Sequence, residues 1–443
     1  MNKSFVLRVS TVAAIGGLLF GYDTAVIAGV VGYLQVRFHL SAVMVGWAAS
    51  SAIWGCVIGA MFAGYLSDRM GRKKVLIFTA VLFFISSIAA ALAGDLSQFI
   101  LARLIGGLGI GAASMLSPLY ISEIAPARSR GRLVSLYQLA IVLGINMIYF
   151  VNLRIAAMGD EAWNVNRGWR YMLASGMLPA VLFLVLLFFV PESPRWLTAK
   201  GRKEEAMDIL KKVNGEEVAS AVHREIVDAL RHETGTLKEL FRPGLRMAML
   251  AGVFLALFSQ ITGINAIIYY APEIFKNAGF GTESAFTQTV IIGVVNTLFT
   301  FLAIWLIDKA GRRTLLLWGV SGMIVCLLAL GLCYHYHFGG FWLLICILGY
   351  IACFASSLGA VPWVIISEIF PTRSRGVAMS FATVVLWAGV LLITQLTPLM
   401  LERLKGNTFF LFMVNAIILL VFTWKRIPET RQRTLEDIEK SWI

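Results

Sequence analysis

Twelve apolar runs, near residues 7–32, 43–65, 75–94, 98–121, 133–152, 170–190, 247–275, 286–307, 314–335, 340–366, 377–399 and 408–427, decide what this chain can fold into. A helix needs about 20 apolar residues to cross the ~30 Å hydrocarbon core of a bilayer, and the runs are of that length. In lipid every backbone N–H and C=O has to be bonded within the protein, so only helices and closed barrels span. These runs are too long and too continuous for barrel strands. The expected fold class is therefore an all-α membrane protein with twelve transmembrane helices. Hydrophobic residues make up 58% of the 443 and charged ones only 14%, which excludes an ordinary soluble globule.

The formal charge of +13 does not point to nucleic acid, because the Lys and Arg residues fall between the runs and not along one polar face. They follow alternate runs: Arg69, Arg72, Lys73 and Lys74; Arg128, Arg130 and Arg132; Lys309, Arg312 and Arg313; Arg373 and Arg375; Lys425, Arg426, Arg431 and Arg433. By the positive-inside rule these loops, and both termini, face the cytoplasm of a multi-pass cell-membrane protein. The first run shows no signal-peptide cleavage pattern and reads as the first spanning helix. Cys56, Cys326, Cys333, Cys346 and Cys353 lack metal-ligand spacing and are expected to be inert packing residues; no metal or cofactor is called for.

A polar segment separates six runs from six. The expected organisation is an N-terminal six-helix bundle (1–190), cytoplasmic linker helices (191–246), a C-terminal six-helix bundle (247–427) and a short cytoplasmic tail (428–443). The charged stretches Arg202 to Lys212 and Glu217 to Arg231 suit amphipathic helices bracketing the halves. The halves repeat three marks in the same order, roughly 240 residues apart. Asp68-Arg-Met-Gly71-Arg72-Lys73 is echoed by Asp308-Lys-Ala-Gly311-Arg312-Arg313, Ser122-Glu123 with Arg128-Ser-Arg130-Gly131 by Ser367-Glu368 with Arg373-Ser-Arg375-Gly376, and Pro191-Glu192-Ser193 by Pro428-Glu429-Thr430. Such repetition implies duplication and two pseudo-symmetric bundles.

Polar residues inside the runs need a reason. Gln260, Thr262 and Asn265 lie mid-run between Ser259 and Tyr270, where an unpaired amide costs several kcal/mol. Gln260 and Asn265 are five residues apart, roughly 140° around a regular helix, and a break at Gly263 brings them onto one wall. Bonding to neighbouring helices is the plain alternative for any single amide. Asp23 is a carboxylate in an apolar run, and Arg103, equally deep, is its expected partner; a pair that opens when Asp23 takes a proton links protonation to helix movement. A permanent structural ion pair is the competing reading.

The motifs Gly16-Gly-Leu-Leu-Phe-Gly21-Tyr22-Asp23, Asp68-Arg-Met-Gly-Arg72-Lys, Arg128-Ser-Arg130-Gly, Pro191-Glu-Ser-Pro-Arg195-Trp, Gln260-Ile-Thr-Gly-Ile-Asn265, Pro362-Trp363 and Pro428-Glu-Thr430 occur together and in order. The whole chain thereby resembles the sugar porters of the major facilitator superfamily. The resemblance implies the major facilitator fold and a substrate site of Gln138, Gln260, Asn265, Tyr269, Asn296, Phe354, Gly359 and Trp363. It also implies a proton-coupling role for Asp23 with Arg103. Amides match sugar hydroxyls as donor and acceptor, and aromatic faces stack on a pyranose ring. Three positions depart from the pattern: Ser259 stands for a glutamine, Leu386 for an amide, and Gly176 for a glutamate of some proton symporters.

Arg72, Glu123, Arg130 and Glu192 in one half, with Arg312, Glu368, Arg375 and Glu429 in the other, interleave acidic with basic residues at the cytoplasmic ends. They are expected to pair between helix ends when that side is shut, each exposed pair contributing only about 0–1 kcal/mol, so the network latches without locking. The expected function is secondary transport of a monosaccharide by alternating access, with a proton as co-substrate, by a monomer in the bilayer. A uniporter with a structural Asp23–Arg103 pair is the runner-up. A sugar sensor or an organic ion carrier fits less well, because the tail is short and the site residues are neutral. No nucleophile–base constellation or phosphate loop supports an enzyme.

Overall fold

The computed structural model describes residues 2–126, 129–232, 246–336, 338, 340–370 and 375–429; the side chains of residues 229, 231, 232, 308, 367, 368 and 375–377 fall outside that description. Among the described residues twelve helices are long and apolar enough to cross a membrane. In chain order the spans are Lys3–Arg37, Ala42–Met70, Arg72–Leu92, Leu96–Ile124, Arg130–Ala156, Glu161–Phe188, Arg246–Asn277, Thr282–Ile307, Arg312–His335, Phe341–Ile366, Ala378–Arg403 and Asn407–Arg426. Every regular element among the described residues is helical, as the backbone hydrogen-bond argument requires.

Four spans are interrupted. Span one changes helix between Ala25 and Ile27, span six at Ser175–Gly176, span seven between Ile261 and Ile264, and span ten between Ser356 and Val361. In span ten Pro362 sits in the first turn of the resumed helix, where its missing N–H has no intrahelical partner to lose.

By its contacts the chain divides into two compact units that cut across the sequence halves. The first holds the chain up to Asp23, Ser51–Gly144 and the part that begins at Leu173 and runs through the linker helices. The second holds Thr24–Ser50, Ile145–Met172 and spans seven to twelve. In the first unit, spans two and four touch backbone to backbone: a Cβ at Gly107 would strike Ala52 O and one at Gly111 would strike Cys56 O. Close approach through small residues is how membrane helices gain van der Waals contact without a hydrophobic drive.

Each unit contains the same device at the start of a span. In the first, Glu192 Oε1 accepts from Arg72 N at 2.9 Å and from Lys73 N at 3.2 Å. In the second, Glu429 accepts from Arg312 N at 2.9 Å and from Arg313 N at 3.1 Å. A carboxylate here satisfies the open N–H groups of spans three and nine and meets the positive end of the helix dipole. The preceding glycines make room: Gly71 has φ 100° and Gly311 φ 94°, a left-handed region, and a Cβ on Gly71 would strike the Glu192 carboxylate. The following basic residue closes another helix end, Lys73 Nζ donating to Phe188 O at 3.1 Å and Arg313 Nη2 to Trp424 O at 2.6 Å.

The linker forms the helices Pro194–Ala199, Lys203–Asn214 and Glu216–His232, close to the charged stretches expected from sequence. Ser193 caps the first by accepting from Trp196 N, and Trp196 Nε1 donates to Asp68 O at 3.0 Å, anchoring the segment to the end of span two. Residues 233–245 and 430–443, with the remainder of the linker and the tail, lie outside the described residues.

Candidate functional site

In span seven the α-helix stops at Ile261, Gly263 adopts φ 100°, and a new helix starts at Ile264. The expected consequence is present: Asn265 Nδ2 donates to Gln260 Oε1 at 2.8 Å. The carbonyls released by the break are capped by other spans of the same unit, Ile261 O by Asn415 Nδ2 at 3.0 Å and Thr262 O by Tyr350 OH at 3.0 Å. Irregular backbone at membrane depth persists only with such partners.

The remaining polar groups of this stretch divide into two sets. Thr262 is fully buried and bonds back to Ser259 O at 3.2 Å, and Tyr270 OH is committed to Thr394 O at 2.8 Å, so both are structural. Gln260 and Asn265 keep capacity. Of Gln260, one N–H donates to Ser259 Oγ at 3.0 Å and one oxygen lone pair takes Asn265. That leaves one donor and one acceptor site on Gln260, and one donor and the whole carbonyl oxygen on Asn265. Asn265 is only 7% exposed, so its groups do not face lipid, and Gln260 is half-buried.

By sequence Ser259 is a missing amide. Its buried hydroxyl in fact donates to Ala256 O at 2.9 Å and accepts from Gln260 Nε2, fixing which way the Gln260 amide points. Nothing in a single sequence signals that role.

Tyr269, Asn296 and Phe354 of the second unit are buried, and Gly359 and Trp363 are half-buried around the break in span ten. Asn296 has no hydrogen-bond partner among the described residues, and neither has the half-buried Gln138 of the first unit. Leu386 is half-buried, and a Cβ at Gly176 would sit 2.8 Å from Ser87 Oγ, so a longer side chain there would have to displace Ser87.

Asp23 and Arg103, both in the first unit, are paired as expected. Arg103 Nη1 donates to Asp23 Oδ1 at 2.8 Å, and Nη2 to the main-chain oxygen of Asp23 at 2.8 Å. Arg103 is 2% exposed and Asp23 7%, so the pair is buried, and Asp23 Oδ2 is left without a hydrogen-bond partner. An orphaned carboxylate oxygen is where a proton adds with no existing bond to break. Three residues on, span one changes helix, and Tyr22 OH is hydrogen-bonded at 2.8 Å to Ser175 in the break of span six.

Of the charged residues expected to pair at the span ends, Arg72 and Glu123 do so. Arg72 binds Glu123 through two parallel bonds of 3.0 Å and Asp68 at 2.8 Å, all inside the first unit. Glu192 and Glu429 cap backbone N–H groups as described, and Arg312 Nη1 donates to Ile307 O at 3.2 Å. Arg130 is exposed at the start of span five and joins no described partner, both oxygens of Glu123 being taken by Arg72. The side chains of Glu368 and Arg375, and residue Arg128, lie outside the described residues.

Twelve spans, a broken helix presenting unsatisfied amide capacity and a separate buried carboxylate–arginine pair define a multi-pass secondary transporter of the major facilitator fold. Residues 9–442 match the family model "Sugar (and other) transporter", and the chain belongs to that family. It is 46% identical over all of its length to the arabinose-proton symporter of Bacillus subtilis, covering 96% of that protein. It is 41% identical to the D-xylose-proton symporter of Escherichia coli, again over all of this chain and 96% of that one. Among solved structures, the xylose transporter XylE from E. coli in a partially occluded inward-open conformation matches with a TM-score of 0.89 at 40% identity, over 98% of this chain and 100% of that one.

Proposed function

We propose that this protein carries a monosaccharide across the cell membrane together with a proton, by alternating access. The observation that carries the reading is the amide pair Gln260–Asn265, whose remaining donors and acceptors are neutral, directional and held on a broken helix, as a hydroxyl-rich uncharged ligand requires. Gln138, Tyr269, Asn296, Phe354, Gly359 and Trp363 complete the sugar site in this reading. The two similar proton symporters take pentoses by name, which supports a pentose as the first substrate to try.

Asp23 supplies the coupling. With Oδ2 unpartnered, protonation neutralises the carboxylate, weakens its hold on Arg103 and frees the adjacent break in span one. The organisation proposed with it is two six-helix halves (1–190 and 247–427) bracketed by 191–246, both termini cytoplasmic, working as a monomer in the bilayer. Arg72–Glu123, with Arg130, Arg312, Glu368 and Arg375, latches the cytoplasmic ends, while Glu192 and Glu429 hold spans three and nine.

A second reading is favoured by one bond, the donation of Arg103 Nη2 to the Asp23 main-chain oxygen, which persists whatever the state of the carboxylate. In that reading the pair is structural and the sugar moves downhill alone. Uptake of labelled arabinose and xylose into proteoliposomes, with and without an imposed proton gradient, decides between the two. Accumulation above the external concentration only with the gradient supports symport, and equilibration alone supports the uniporter.

A further inference from the structure

Four of the five cysteines fall on neighbouring antiparallel helices, Cys326 and Cys333 on span nine and Cys346 and Cys353 on span ten. Within each helix the two are seven residues apart, two turns along one face. The antiparallel register sets Cys326 against Cys353 and, seven residues along each helix, Cys333 against Cys346. Glycines permit this approach: a Cβ at Gly349 would lie 2.9 Å from Cys326 Sγ, and one at Gly322 would strike Cys353 Sγ. Sequence alone suggests inert packing; the fold sets four of the five thiols in two neighbouring pairs.

With spans nine and ten read as crossing a bilayer, the open flank of these pairs borders hydrocarbon. Cys326, Cys346 and Cys353 are half-buried, and the residues beside them, Val325 and Ile345, are 66% and 43% exposed on the face of a spanning helix. An oxidant dissolved in lipid is therefore the chemical class with access, and a quinone is one. The reaction balances without leaving charge in a medium of low dielectric: two S–H bonds break, one S–S bond forms, and the quinone takes two electrons and two protons to become a hydroquinone.

Closure of the Cys326–Cys353 pair would bear on the site. Ser357 Oγ donates to Cys353 O at 2.6 Å, and span ten breaks directly after it, carrying Gly359 and then Trp363. We propose that these two dithiols are oxidation sites whose conversion to disulfides by a membrane quinone fastens span nine to span ten and arrests transport by immobilising the broken segment of span ten.

The test treats the purified full-length protein in proteoliposomes with a fully substituted benzoquinone, which oxidises thiols without adding to them, and reads intact mass and sugar uptake. The expected result is a loss of two hydrogens per pair, with uptake lost and both changes reversed by a thiol reductant. Cys353→Ser should keep uptake in quinone while still losing two hydrogens at the other pair. An unchanged mass overturns the proposal, and so does a full mass loss with uptake intact. Because the mass is read without sugar, failure of the oxidation is distinct from failure of the transport assignment.

Discussion

Asn265 Nδ2 donates to Gln260 Oε1 at 2.8 Å across a single left-handed glycine, so two amides that a continuous helix would point apart share one wall of span seven. Each then uses half or less of its hydrogen-bonding capacity on the protein.

Replacing either amide should weaken sugar binding. Each neutral hydrogen bond contributes about 0.5–1.5 kcal/mol net, so Gln260→Ala and Asn265→Ala are each expected to raise the sugar Kd about 2- to 10-fold. Isothermal titration of the detergent-purified protein with the transported sugar measures it. Unchanged affinity in both variants would remove these residues from the site.

Ser259→Ala deletes the acceptor that orients the Gln260 amide without removing a sugar contact. Affinity should fall, by less than in Gln260→Ala, and Ser259→Thr should restore it because the hydroxyl is retained. A Thr variant as weak as the Ala variant would argue that the serine matters only for packing.

Gly263→Ala puts a side chain on a residue at φ 100° and drives its Cβ into the Phe412 ring. A left-handed non-glycine costs about 1–3 kcal/mol before the clash is counted. The thermal midpoint should drop well below that of Gly281→Ala, a glycine at φ −64° with open space around it. Equal midpoints would contradict the break.

Asp23→Asn removes the carboxylate and keeps its size. Uphill accumulation driven by a proton gradient is expected to vanish while sugar exchange between the two sides continues. Retained accumulation in vesicles would assign the coupling proton elsewhere.

Glu429→Ala should uncap span nine, a loss of about 1 kcal/mol judged from helix caps generally, visible as a lower melting midpoint. Glu192→Ala should do the same to span three. Were these carboxylates latching only by charge, high salt would mimic both variants in the unmodified protein; a cap held by backbone N–H groups predicts that it does not.

Much of this molecule is legible without coordinates. The number and order of the spans follow from hydrophobic length, which is a local property summed along the chain, and Arg103 as partner of Asp23 follows because no other deep cation is available to offset that carboxylate. The duplication is readable in Gly71-Arg72 and Gly311-Arg312, and the sequence suggests charge pairs at both places, one of which is Arg72 with Glu123. What the sequence does not show is that Glu192 and Glu429 serve helix N-termini, because the open N–H groups of a span start lie within hydrogen-bond reach of both carboxylates.

Only the tertiary structure decided where each polar group spends its hydrogen bonds. Thr262 and Tyr270 look as available as Asn265 in the sequence, but Ser259 O and Thr394 O consume them. Ser259 looks like a loss and orients Gln260; four of the five cysteines look inert and fall into two pairs between spans nine and ten. Polarity and length belong to a residue wherever it stands, whereas a hydrogen bond exists only when two atoms from distant parts of the chain come within about 3 Å in the right direction, and that is set by helix breaks and glycine contacts that composition does not encode.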